Sequence, residues 1–79
     1  MAIHMTAKTY LRFHDKITEF AREYDGLVDL KVGSEISLHS RLDLPVKAGT
    51  YKITDSSYEV GVTDNEDTVY LHYRAEFVK

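Results

Sequence analysis

At Gly26 the hydrophobic period of the chain changes, and this constrains the fold more than any other feature of the sequence. Before it, Tyr10, Phe13, Ile17, Phe20 and Tyr24 recur at spacings of three and four, and Ala21 and His14 widen the same stripe. That is the spacing of one face of an α-helix. After it, apolar and polar residues alternate, as they do along a half-buried strand. A single change from period 3.6 to period 2 reads as one helix followed by a sheet.

The helix expectation has local support. Arg12, Asp15, Lys16, Glu19, Arg22 and Glu23 fall on the opposite face, with opposite charges three apart at Arg12/Asp15, Lys16/Glu19 and Glu19/Arg22. Thr6 suits an N-cap, and Asp25-Gly26 suits a stop because glycine adopts the left-handed conformation at little cost. The spacing predicts a helix over about 7–24, with its aromatic stripe forming half of the core.

Strands are expected at about 27–32, 35–42, 50–54, 57–63 and 68–78. Their register can be tested, because a slip of one residue turns every side chain to the other face. A two-residue turn at Asp55-Ser56 pairs Ile53 with Tyr58 and Tyr51 with Val60. A four-residue loop at Asp64-Asn65-Glu66-Asp67 pairs Val62 with Val69, Val60 with Leu71 and Tyr58 with Tyr73. Both turns put every apolar residue on one face. For the first hairpin, a three-residue loop at Gly33-Ser34-Glu35 pairs Val32 with Ile36 and Leu30 with Leu38, with a bulge near the turn. Residues 43–49, which include Pro45, form the loop into the third strand. Ala75–Val78 overruns its partner and leaves an edge that another strand could extend.

The expected fold is therefore α+β: an N-terminal amphipathic helix packed on one face of a four- to five-stranded antiparallel sheet, in the order α-β-β-β-β-β. All 79 residues form one domain. His4-Met5 is as compatible with a cloning-site junction as with native sequence, so residues 1–5 carry none of the functional argument.

Composition narrows the functional classes. A chain this short buries about 60–65% of its extended surface, so one core must supply nearly all the stability. With no cysteine, neither a disulfide nor a thiolate metal cluster reinforces it, which fits a reducing, cytoplasmic setting. Thirteen acidic and ten basic side chains give a net charge of −3, which argues against duplex nucleic acid and anionic lipid as partners. No apolar run approaches the roughly 20 residues of a membrane span.

The expected outward face carries Lys52, Thr54, Glu59, Thr63, Tyr70, His72, Arg74 and Glu76. The register above sets Glu59 opposite both Lys52 and His72, and sets Gly61 opposite Tyr70, whose ring would cover the bare backbone. Lys52, Glu59 and His72 read first as an exposed charge row worth at most about 1 kcal/mol. Tyr70 and Arg74 are residue types enriched at binding hot spots, and the five residues together make the candidate partner-binding set. His72 with Glu59 could serve as a base and its orienter, but no serine has a nucleophile setting and a flat sheet excludes no water. The histidines at 4, 14, 39 and 72 lack metal-ligand spacing, and no cofactor motif is present. One aromatic with scattered positive charge makes a poor single-strand stacking platform.

Elimination leaves a non-enzymatic protein–protein interaction module, without metal or cofactor, acting through the outward face or the edge of its sheet. In size and charge it is analogous to small phage-encoded inhibitors and regulatory proteins that work in the host cytoplasm. The alternatives are a single-stranded nucleic-acid-binding domain and a small enzyme or metal protein using His72 and Glu59. A homodimer through an exposed edge strand is compatible with each.

Overall fold

The computed structural model describes residues 3–39 and 42–79. Among these residues there is no helix. Five strands, β1 (His4–His14), β2 (Glu19–Asp25), β3 (Glu35–Leu38), β4 (Gly49–Val62) and β5 (Glu66–Phe77), form one curled sheet in the order β2-β1-β5-β4-β3. The sheet is mixed. β1 runs parallel to β5, from His4↔Glu66 to His14↔Glu76, and the other neighbours are antiparallel.

The expected helix over 7–24 is a β-hairpin instead. Its turn is built on Asp15, whose Oδ1 accepts from the Ile17 and Thr18 amides and the Thr18 hydroxyl, while the Asp15 amide donates to the Thr18 carbonyl. The helical stripe is thereby divided. Phe13 and Phe20 face each other across the hairpin with ring centroids 6.3 Å apart. Ile17 lies at the turn, 93% exposed, and Tyr10 moves to the opposite face from Phe13. The buried positions are the alternating Thr9, Leu11 and Phe13. Arg12 and Glu19, each expected to pair along a helix, pair with each other across strands with Arg12 Nε 2.9 Å from Glu19, and Lys8 Nζ lies 2.7 Å from Glu23.

Further corrections concern the sheet. Residues 27–32 form no strand, so the expected pairing of Leu30 with Leu38 and Val32 with Ile36 is absent. The strand expected at 35–42 is the short β3, and its residues 40–41 lie outside the described residues. The turn expected at Asp55-Ser56 does not form: 49–62 is one strand, bulged between Ile53 and Asp55. Beyond the bulge Val60 pairs with Val69, Tyr58 with Leu71 and Ser56 with Tyr73. That register differs from the expected one by two residues, which keeps each side chain on its face. Ala75 and Phe77 do not overrun a partner, since they pair with Ile53 and Tyr51.

The core lies on the inner, concave face. Leu11, Phe13, Tyr51, Ile53, Leu71, Tyr73 and Ala75 are buried there, along with Val46. Phe13 meets Tyr51 edge-on with ring centroids 5.2 Å apart, and Tyr51 meets Phe77 in the same way at 5.3 Å. Two connections cover this face. β2 and β3 lie at opposite edges of the sheet, so residues 26–34 must cross it. They are held by polar groups that would otherwise be buried without partners. The Tyr73 hydroxyl donates to the Val28 carbonyl at 2.9 Å and accepts from the Leu30 amide at 2.8 Å. The Thr9 hydroxyl donates to the Gly26 carbonyl at 2.8 Å and accepts from the Val28 amide at 3.0 Å. The second connection, residues 42–48, is tied to the β1–β2 turn by the Lys47 amide on Asp15 Oδ2 at 3.1 Å and by the Thr18 hydroxyl, whose one proton is shared between Asp15 Oδ1 and the Pro45 carbonyl.

Candidate functional site

Register places the outer-face residues on a grid. Arg12, Arg74 and Asp55 form one row across β1, β5 and β4. Tyr10, His72 and Ser57 form the next, followed by Lys8, Tyr70 and Glu59. At the other end of the strands, His14, Glu76, Lys52 and Glu35 share a row. The outer face is thus an aromatic centre with charges at its margins.

Tyr70, His72 and Arg74 occupy alternate outward positions on β5, the middle strand of the sheet. Tyr10 joins them from β1. Its ring stacks on His72 with centroids 5.1 Å apart and an interplanar angle of 9°, and it lies 5.7 Å from the Tyr70 ring. Tyr70 and His72 are 6.3 Å apart. This cluster rests on paired backbone, and its rings are half-buried, so ordering it on binding costs little side-chain entropy.

Of the five residues singled out from the sequence, four come together. Glu59 pairs with Tyr70 in register and reaches His72 diagonally, Oε1 lying 3.5 Å from Nε2. Lys52 does not join them. Without a turn at Asp55-Ser56 it lies seven residues before Glu59 on the same strand, where it stands between Glu76 and Glu35. Gly61 faces Thr68 rather than Tyr70, yet the Tyr70 ring still lies over it diagonally: a β-carbon on Gly61 would stand 3.4 Å from that ring.

Sequence reasoning missed Tyr10 and Arg12, because both had been placed on the helix. The available signal was the alternation of Lys8, Tyr10 and Arg12 with Thr9, Leu11 and Phe13. Tyr10 is also held from the side. Its hydroxyl bonds to Glu23, which raises the Tyr10 pKa, and Glu23 is kept below the usual carboxylate range by Lys8 first and Tyr10 second.

Beside the rings a depression of about 170 Å³ is lined by Tyr10, Arg12, Ser57, His72 and Arg74 among others. Ser57, His72 and Glu59 supply the residue types of a nucleophile, a base and an orienter. Among the described residues, however, no hydrogen bond joins Ser57 to His72, and the His72 ring is engaged by Tyr10. Among the described residues no group of three histidine or carboxylate side chains could hold a metal ion. The cations on this face already have carboxylates near them, with Arg74 3.9 Å from Glu76 in addition to the Lys8 and Arg12 pairs. What the arrangement offers is a preformed stacking and hydrogen-bonding surface. Comparison with protein-family models, curated proteins and solved structures finds no match for the chain.

Proposed function

We propose that this chain is a non-enzymatic protein-binding module that uses the outer face of its sheet, centred on Tyr10, Tyr70, His72 and Arg74. The observation that carries this reading is the stacked Tyr10–His72 pair, with Tyr70 beside it and Arg12 and Arg74 in register at its flank. Tyrosine and arginine on rigid backbone are the side chains that contribute most at protein interfaces. Arginine can still recruit a partner carboxylate or stack on a partner ring after exchanging its present exposed carboxylate.

Single-stranded nucleic acid is the second reading, and the ring cluster itself favours it, since three rings make a better stacking platform than one. Electrostatics decides against it. Each nearby cation has a carboxylate within reach, and the chain's net charge is −3, whereas strand binding depends on a surplus of positive charge along the backbone track.

The test is capture from the source cell with wild-type chain and with Tyr70→Ala/Arg74→Ala, followed by titration of the captured protein. Loss of about tenfold or more in affinity, with the circular dichroism spectrum retained, is the expected result for a hot-spot pair. Unchanged affinity would remove this face from consideration. A labelled oligonucleotide titrated at low and moderate salt separates the second reading, because only phosphate contacts give a strong salt dependence.

A further inference from the structure

We infer that a second copy of this chain pairs with the free edge of β4, antiparallel and about a two-fold axis at Val60. This inference is independent of the outer-face reading.

β5 borders one side of β4 along its length, but β3 borders the other side only from Gly49 to Lys52. Backbone bonds from Ser34 and Gly33 extend that cover to Ile53. Among the described residues, nothing pairs with 55–62 on that side. An uncovered strand edge presents unpaired amides and carbonyls that template another strand. Such edges are commonly guarded by lysine, proline or inward-pointing charge. The opposite edge of the sheet, β2, carries Glu19, Arg22, Glu23 and Asp25. The sequence Asp55-Ser56-Ser57-Tyr58-Glu59-Val60-Gly61-Val62 has no lysine, no proline and no charge on its inner face. Its inner side chains, Tyr58, Val60 and Val62, are instead 69%, 58% and 73% exposed.

The two-fold axis restricts the register. An axis perpendicular to the sheet keeps the inner faces of both copies on one side, so paired residues must both be even-numbered or both odd-numbered along this segment. Centring on Glu59 sets that carboxylate against its own copy. Centring on Tyr58 opposes Val60 to Ser56, and centring on Gly61 or Val62 brings Asp64 against Tyr58 or Val60. Centring on Val60 sets Val60 against Val60, Tyr58 against Val62, Glu59 against Gly61 and Ser57 against Thr63. Only this register pairs all three of Tyr58, Val60 and Val62 with one another and leaves no like charges directly opposed, as cross-strand pairing requires.

Magnitude sets the kind of dimer. Eight residues span about 26 Å, and a sheet about 10 Å deep then offers a few hundred Å² per copy. A stable interface takes about 800 Å² per partner. The dimer is therefore concentration-dependent, with dissociation in the micromolar range or weaker.

The experiment is sedimentation velocity of the full chain from low micromolar to millimolar concentration, with Val60→Lys alongside. Disulfide trapping uses Val60→Cys and Glu59→Cys in this cysteine-free sequence. The expected results are a monomer–dimer equilibrium in wild type and at least about tenfold weaker association in Val60→Lys, where two lysines would face each other. Val60→Cys should cross-link, because directly paired α-carbons sit within the disulfide range, and Glu59→Cys, facing Gly61, should not. A chain that stays monomeric to millimolar concentration overturns the inference, even if a different protein adds its strand to this edge. So does a dimer indifferent to Val60→Lys, or equal trapping at 59 and 60. Circular dichroism guards against misfolded variants.

Discussion

Asp15 does the work of several residues. One carboxylate oxygen closes the β1–β2 turn through three donors, and the other holds the Lys47 amide of the loop that covers the core. These donors favour the ionised form, and they draw the Asp15 pKa from 3.8 down to about 2, with the Thr18 and Ile17 amides the largest causes. Because the folded value lies below the unfolded one, the carboxylate's contribution to stability is full above the unfolded value. It is lost as pH falls through the folded value. Asp15→Ala should therefore melt below wild type at pH 7, and the gap should narrow between about pH 4 and pH 2. Melting curves at several pH values check this, and a gap that stays constant would assign the loss to packing instead. Gly49 is the second residue with an exacting role. Its φ is +146°, and a β-carbon there would lie 2.7 Å from the Lys79 carbonyl oxygen. Gly49→Ala should cost about 1–3 kcal/mol in urea unfolding, since strained backbone and displacement of the C-terminal strand act together.

At the scale of elements, the connection 26–34 serves as the cover that the expected helix would have been. Tyr73 on the middle strand holds it by its hydroxyl, so Tyr73→Phe leaves the Val28 carbonyl and the Leu30 amide without their partner while keeping the ring in place. The expected loss is about 1–3 kcal/mol, together with faster hydrogen exchange at the Leu30 amide. Protection unchanged at that amide would show that the strap is held by apolar contact alone. The strap also explains what could and could not be read from the sequence. Asp25-Gly26 was legible as a break, and Gly26 does take a positive φ of 86°, but it ends a strand rather than a helix. Phe13 and Phe20 are seven apart, a spacing that two helical turns and a four-residue hairpin turn satisfy equally. Pairing with β5 favours the hairpin, and that parallel contact joins residues about sixty positions apart that no local pattern encodes. On β5 the alternation of Tyr70, His72 and Arg74 with Leu71, Tyr73 and Ala75 was legible because period 2 survives any even slip in register. Lys52 was misplaced because Asp55-Ser56, turn-forming residue types, continue the strand through a bulge, so Lys52 and Glu59 lie along one strand and not across two.

The whole molecule is unevenly stabilised along its 50 Å length. The second connection and the aromatic contacts of Phe13, Tyr51 and Phe77 gather at one end of the sheet, the first connection crosses from Ala7 to Ile53, and the far part of β4 presents its inner side chains exposed. A domain of this size holds a net stability of about 4–12 kcal/mol, so the difference between the two ends is measurable with two substitutions on one strand. Ile53 is fully buried, and Ile53→Ala should cost about 2–5 kcal/mol by leaving a cavity. Val60 lies seven residues further along, 58% exposed, and Val60→Ala in the monomer should move stability by no more than about 0.5 kcal/mol. Urea unfolding at low micromolar concentration measures both without the contribution of self-association. If Val60→Ala cost as much as Ile53→Ala there, the open end of the sheet would have to be covered within the monomer. The case for a free edge at 55–62 would then fail with it, because a strand whose valines are already sealed has no apolar face to share with a second copy.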